Sequence, residues 1–297
     1  MKPTVIYIMS DRRSGSTLLE NILSKSRETV SVGELAMLKG HVLKTGWGER
    51  WNWTCACGEP VQQCVFWKPV LDKVYANDFE FETNIRWNLN SKLVNAVCYL
   101  PAVFKKSLRK LINTKHNKKA VATLQNLYKA IGEVSGKKFI IDSSKDPVQA
   151  LAVYEQTGVD VKVIWLKRDL RAIATSKNKW KLLNKKKEKS LLHHLYNVYY
   201  FKRVCKAVAT LVKPNDLLEL NYEELALNTA DTLEKITTKF NLQPYEAPLF
   251  MELNNDHTIG GTPERFEKKP IAYDASWKQL YNNKRLLYVT GSLLNKL

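Results

Sequence analysis

The chain has 297 residues, 44% hydrophobic and 26% charged, which suits a globular protein with a sizeable buried core. It carries no internal repeat, low-complexity tract or flexible linker, and no run approaches the roughly eighteen apolar residues a transmembrane helix requires. Forty-seven Lys and Arg against 29 Asp and Glu give a net charge of +18, a field that attracts anionic ligands, polyanions or acidic membrane surfaces.

In chain order, Val5-Ile6-Tyr7-Ile8-Met9-Ser10 predicts a buried strand over 4–10. It begins almost at the first residue, with no apolar secretory region before it, so a cytoplasmic location is expected. The loop Asp11-Arg12-Arg13-Ser14-Gly15-Ser16-Thr17 follows, and Leu18, Leu19, Ile22 and Leu23 predict a helix over 16–26. A helix start offers unpaired N–H groups and a positive dipole end, and Gly15 lets the backbone come close to a ligand. Ser14, Ser16 and Thr17 add hydroxyl donors, and Arg13 adds a forked, permanently charged one. Together they predict an anion cradle suited to phosphate. The pattern is not the nucleoside-triphosphate loop, which places Lys and a magnesium-binding hydroxyl after its last Gly.

Residues 40–67 read as an irregular region rich in Trp and Cys, and 68–135 as helices. Residues 40–135 therefore predict a mainly helical insertion over the strand ends, a cover for an acceptor site. Trp47, Trp51, Trp53, Trp67 and Trp87 either form local core or line its entrance. Cys55-Ala56-Cys57-Gly58 and Cys64 would start a zinc site with Cys98 or His41 as a fourth ligand, but no second Cys pair or His pair supports it. Reduced thiols under a loop are expected, with no metal, and a Cys57–Cys64 disulfide is disfavoured in a reducing compartment.

Beyond the insertion the pattern alternates: strand 138–143, helix 146–157, strand 161–167, helix 170–183, a long helix over 189–212, strand 216–220 and helix 229–240. An irregular C-terminal third ends in a helix near 277–295. Alternation of this kind predicts an α/β fold: a P-loop-like central parallel sheet with helices on both faces, here one domain over 1–297. Ligands of such sheets bind at the carboxyl ends of strands. Arg168 stands at such an end, and Ser176 lies about 12 Å further along the next helix by its rise. A loop folded back would let the two clamp a second phosphate.

Arg-Ser-Gly-Ser-Thr after a first strand, with a later strand ending in Arg and a Ser eight residues on, resembles the two donor-binding motifs of sulfotransferases. The resemblance is to bacterial members that use 3′-phosphoadenosine 5′-phosphosulfate (PAPS) and release 3′-phosphoadenosine 5′-phosphate (PAP). It implies that Arg13, Ser14, Gly15, Ser16 and Thr17 hold the 5′-phosphosulfate end and that Arg168 and Ser176 hold the 3′-phosphate. Glu34 stands twenty-one residues after Arg13, a spacing similar to that in tyrosylprotein sulfotransferases between their loop Arg and catalytic Glu. Lys145, in Lys145-Asp146-Pro147, matches the segment that supplies an active-site Lys there. Tyr222, in Asn221-Tyr222-Glu223-Glu224-Leu225, resembles a Tyr on the adenine side. His257 to Phe266 resembles a late loop usually written His-x-Ile-x-Gly-Asn-Pro-x-Arg, with Thr262 in place of the Asn. Arg265, Lys268 and Lys269 are its candidates for closing over the 3′-phosphate.

The chemistry can be stated without the resemblance. Sulfuryl transfer leaves negative charge on the departing phosphate, so a cation must lie beside the bridging oxygen, and an acceptor hydroxyl or amine must lose a proton. Arg13 and Lys145 are the cations, and Glu34 is the base. Plainer roles stand beside these. Glu34 would cap a helix starting near Leu35, Lys145 would be a solvated turn residue, Tyr222 would pack a helix entry, and Arg168 would pair with Asp169 or Glu155.

The expected partner is a small-molecule, glycan or lipid acceptor, as in bacterial natural-product or glycan sulfation. The basic runs Lys105–Lys119 and Lys177–Lys189 read as solvated faces, with weak association to acidic surfaces as the alternative. Two other functions fit less well. A P-loop small-molecule kinase would need ATP and magnesium, and a nucleic-acid-binding protein would interleave aromatics with the basic runs, where only Trp180 does so.

Overall fold

The computed structural model describes residues 2–45, 53–75, 81–87, 107–110, 112–183, 190–252, 257–261 and 268–297. Its strands are β1 (Thr4–Ser10), β2 (Thr29–Gly33), β3 (Phe139–Lys145), β4 (Asp160–Lys167) and β5 (Leu217–Asn221), with a short pair β6 (Phe250–Met251) and β7 (Lys269–Pro270). The helices, in chain order, are α1 (Ser16–Leu23), α2 (Leu38–Val42), α3 (Trp67–Tyr75), α4 (Lys115–Ser135) and α5 (Pro147–Gln156). They continue with α6 (Leu170–Leu183), α7 (Leu191–Ala209), α8 (Tyr222–Leu227), α9 (Thr229–Phe240) and α10 (Arg285–Lys296).

The five longer strands form one sheet in the order β2-β3-β1-β4-β5, and every neighbouring pair is parallel. β1 is central because both its faces are apolar. Val5, Tyr7 and Met9 pack with Leu127 and Tyr128 of α4, Leu151 of α5 and Val208 of α7. Ile6 and Ile8 pack on the opposite face with Leu19 and Ile22 of α1, Leu225 of α8 and Ile236 of α9. A strand buried on both faces reads as a continuous hydrophobic run, as 4–10 does, and helices must cover both sides of it. A third cluster joins Ile173 of α6 and Leu195 of α7 to Trp277 and Tyr281.

The crossovers leave β1 between β3 on one side and β4 on the other, so the loop after β1 opens where the winding direction changes. The register then aligns the strand ends: Met9 lies opposite Lys145, Ser10 opposite Leu166, and Lys167 opposite Asn221.

The expected α/β fold is the one observed, with differences at particular elements. β2 was not anticipated, because Thr29-Val30-Ser31-Val32-Gly33 is short; it gains its partner only by pairing with β3. The predicted C-terminal helix divides into a 3₁₀ segment, Ser276–Tyr281, and α10, broken where Asn282 and Asn283 interrupt the apolar period. Within 40–135, α3, a helical stretch at 107–110 and α4 are helical, whereas 81–87 is irregular and interrupts the run expected across 68–135. Trp47, Trp51 and Cys98 lie outside the described residues. Trp67 is core, fully buried, and Trp87 donates its indole N–H to Asp146 Oδ2 at 2.6 Å. Among the described residues, no helix is long and apolar enough to cross a membrane.

Gly33 closes β2 with φ +73°, and an added Cβ would lie 2.1 Å from the Ile259 carbonyl oxygen. Gly136 has φ +64° with open space around it. Gly33→Ala is therefore expected to destabilise the fold by at least about 2 kcal/mol, and Gly136→Ala by only about 1 kcal/mol. Urea unfolding of the two variants checks the ordering.

Candidate active site

The loop after β1 is shaped by two left-handed residues. Gly15, with φ +89°, caps α1, and Arg13 adopts φ 74°, a conformation that side-chain-bearing residues seldom hold without support. The support comes from distant elements. An added Cβ at Gly15 would lie 2.4 Å from the Tyr222 ring, so only glycine fits between loop and ring. Arg13 Nε donates to Ser176 Oγ at 2.8 Å, and the neighbouring Lys177 pairs with Asp11 at 2.6 Å. The Arg168 guanidinium donates to the Arg13 carbonyl at 3.0 Å and stacks 4.1 Å over the Tyr222 ring. It also pairs with Asp274 at 3.1 Å. Two arginines, two serine hydroxyls (Ser14 and Ser176) and the start of α1 thus form one cationic cradle.

A second cluster stands at the ends of β2 and β3. Lys145 Nζ donates to Glu34 Oε1 at 2.5 Å, and both side chains are nearly buried. Lys145 also takes a left-handed φ of 71°. The Gly261 N–H donates to the same oxygen at 3.0 Å, while the Glu34 N–H donates to the Ile259 carbonyl at 2.8 Å. Residues 257–261 therefore strap Glu34 in place, and Gly260 passes so near it that an added Cβ would meet Glu34 Cβ at 3.0 Å.

Beneath these residues lies a buried acidic network. Glu20 of α1 accepts from Ser31 Oγ at 2.5 Å and Ser143 Oγ at 2.6 Å. Asp142 accepts from Tyr128 Oη at 2.6 Å and from the Ser144 N–H and hydroxyl at 2.8 and 2.5 Å. Burial pushes the Asp142 carboxyl up to about 6, against the hydrogen bonds that favour its charged form. Asp146 caps α5 through the Val148 and Gln149 N–H groups, and burial raises its carboxyl too. The network fixes the β3 end from which Lys145 projects: Ser144 Oγ, held by Asp142, also accepts the Ala36 N–H behind Glu34.

Several plainer roles do not match this geometry. The Glu34 side chain caps no helix. Lys145 is buried rather than a solvated turn residue. Arg168 pairs with Asp274 and not with Asp169 or Glu155, which pair instead with Arg171 and Arg109. Tyr222 does pack a helix entry, being the first residue of α8, and its buried ring meets the loop glycine and Arg168. Arg265 and Thr262 lie outside the described residues. Lys268 pairs with Glu252 at 3.1 Å, and Lys269 begins β7. In the first basic run Lys115, Lys118 and Lys119 are exposed on α4. Sequence reasoning missed Asp274 and the Glu20–Asp142 network, although a Glu inside the apolar period of α1 is a legible signal.

Along β4 and β5 a cavity of about 910 Å³ opens beside the cradle, lined by Ser14, Lys167, Arg168, Lys202, Tyr273 and Lys278 among others. Its size suits a nucleotide-sized ligand, and its lysines suit an anionic one.

Comparison with known proteins then decides the family. A family model described as "Sulfotransferase family" matches residues 3–247. The chain belongs to the sulfotransferase family. It is accordingly a sulfotransferase enzyme. Among solved structures it is similar to the sulfotransferase domain from the curacin biosynthetic pathway, at 19% identity and a TM-score of 0.54, covering 94% of this chain and 90% of that one. It is also similar to the sulfotransferase domain from the Synechococcus PCC 7002 olefin synthase, at 19% identity and a TM-score of 0.56, covering 93% and 86%. At this identity the likeness bears on the fold. No curated protein matches the chain by sequence.

Asp142 generates a pH prediction. Its folded-state pKa lies above the ordinary value of 3.8, so the native state binds the proton more tightly than the unfolded chain does. Its contribution to stability therefore falls as pH rises from about 3.8 to about 6 and is constant above, a loss of about 3 kcal/mol. Asp142→Asn is expected to remove this slope, measured by urea unfolding of both proteins between pH 4 and pH 7.

Proposed function

We propose that this sulfotransferase takes its sulfuryl group from PAPS and passes it to a hydroxyl, with an amine as the alternative, of a small-molecule, glycan or lipid acceptor. The observation that carries the reading is the convergence of Arg13, Ser176 and Arg168 on one loop, with Arg13 2.8 Å from Ser176 and Arg168 3.0 Å from the Arg13 carbonyl. A donor with phosphates at both its 5′ and 3′ positions needs two cationic contacts within a nucleotide's span. A cradle built from two separate strand ends supports that demand.

In this reading Ser14, Gly15, Ser16, Thr17 and Arg13 hold the phosphosulfate end through backbone N–H groups, hydroxyls and the guanidinium. Arg168 and Ser176 hold the 3′-phosphate, which would take the place of the Asp274 carboxylate beside Arg168. Tyr222 acts from beneath, keeping Gly15 and Arg168 at their separation. Arg265 is the remaining candidate for the 3′ side, from the segment that follows the 257–261 strap.

The transfer step breaks the bond between sulfur and the bridging phosphate oxygen and forms one between sulfur and the acceptor oxygen. Electrons of the broken bond stay on PAP, whose new charge is met by Arg13 and Lys145. The acceptor proton goes to Glu34. Oε1 of that carboxylate is engaged by Lys145 and Gly261, so Oε2 is assigned to the acceptor. Arg13 and Lys145 fill the electrostatic role a metal plays in phosphoryl transfer, so donor binding is expected to be independent of magnesium.

Titration calorimetry should detect PAP binding with chelator present, and a preference for ATP with magnesium would discard the donor assignment. Arg168→Ala is expected to weaken PAP binding about 10–100-fold, and Ser176→Ala about fivefold. Glu34→Gln should bind PAP as the parent does yet lose about 10²–10⁴-fold in transfer of labelled sulfate to a panel of phenols, sugars and lipid alcohols. Unchanged turnover would remove Glu34 from the base role.

A further inference from the structure

We infer that Cys55, Cys57, Cys64 and His257 form a structural zinc site that joins the 53–64 loop to the strap carrying Glu34. The ligating atoms of these four residues all lie within 4.8 Å of one another. Cys57 Sγ is 3.6 Å from Cys64 Sγ, and His257 Nδ1 is 3.2 Å from Cys64 Sγ and 3.8 Å from Cys55 Sγ. Tetrahedral zinc with bonds of about 2.3 Å to sulfur and about 2.0–2.1 Å to nitrogen sets its ligands about 3.5–3.8 Å apart. The separations of 3.2, 3.6 and 3.8 Å bracket that range, and the widest pair stays within 4.8 Å.

Each ligand is presented by specific local structure. Thr54 and Pro60 form an antiparallel bridge, the Cys55 N–H donates to Glu59 at 2.8 Å, and Gly58 turns the chain with φ +91°. This tight turn carries Cys55 and Cys57. Cys64 stands at the entry to α3, where the Lys68 N–H donates to its carbonyl at 2.9 Å. His257 arrives from 193 residues further along. Its carbonyl accepts the Trp67 indole N–H at 2.6 Å, its ring stacks on Phe66 at 5.2 Å and 13°, and the Ala56 N–H donates to the Thr258 carbonyl at 3.0 Å. These contacts aim Nδ1 at the sulfurs. Two of the cysteines are fully buried, and four protein ligands leave no open position, which is the character of a structural site rather than a catalytic one. Loading releases the thiol protons as the sulfurs bind.

The earlier candidates for a fourth ligand, Cys98 and His41, are replaced by a histidine the sequence separates from the cysteines by most of the chain. The consequence lies at Glu34. Two residues beyond His257, Ile259 pairs with Gly33 and accepts the Glu34 N–H, and Gly261 donates to Glu34 Oε1. The metal would anchor that strap at its start.

Protein expressed without a histidine tag in zinc-supplemented medium should hold about one zinc per chain by plasma mass spectrometry, after dialysis against a weak chelator. Cobalt substitution should give the thiolate charge-transfer and tetrahedral d–d bands. Cys57→Ser, at an exposed position, and His257→Asn should each retain about tenfold less metal, and Cys205→Ser should retain it in full. Folded wild-type protein with under about a tenth of an equivalent of metal after loading would overturn the site, whether its thiols are free or Cys57 and Cys64 are joined as a disulfide. Full retention by both ligand variants would overturn it as well. None of these readouts depends on the identity of the sulfuryl donor or acceptor.

Discussion

The parallel register around β1 is the constraint on which the candidate site depends. Met9 faces Lys145 across one edge and Ser10 faces Leu166 across the other. The loop carrying Arg13 therefore emerges between Lys145 and Arg168 and nowhere else. A one-residue slip would turn every side chain of β1 to the opposite face, and the double-sided burial of Val5 to Met9 opposes any such slip.

On that platform the local conformations are held from outside. Arg13 and Lys145 both adopt left-handed backbone, which persists only where surrounding contacts outweigh its cost. Tyr222, Arg168 and Ser176 supply those contacts at the loop. Asp142, Ser144 and the 257–261 strap supply them at the Glu34–Lys145 pair. A buried ion pair of this kind gains little net stability, since desolvation offsets its attraction; its value is in fixing where a carboxylate and an ammonium stand. The net charge of +18 and the lysine-lined cavity act at longer range, raising the local concentration of an anionic ligand.

The readable parts of the chain were those with strong local signals. The apolar run of β1, the Gly15 turn and the capped period of α5 each declare their conformation within about ten residues: β1 has the expected bounds, α1 starts as expected and ends three residues early, and α5 is one residue shorter at each end. β2 was illegible because its alternation, Thr29-Val30-Ser31-Val32, lasts only four residues before Gly33, too short a signal until β3 lies alongside. Arg168 was legible as a strand-end cation, but its partner Asp274 was not, since the pairing spans 106 residues of chain. The cysteine spacing was visible, and its histidine was not, for the same reason.

The sequence by itself determined the alternating strands and helices, the tight Gly15 turn after β1 and the family, because these depend on periodicity, turn chemistry and short motifs. Only the tertiary structure decided which residues meet: Arg13 with Ser176, Lys145 with Glu34 and Gly261, Cys64 with His257. Such contacts close loops of tens to hundreds of residues. Their partners are chosen by packing of the whole sheet and its helices, which no local window of sequence contains.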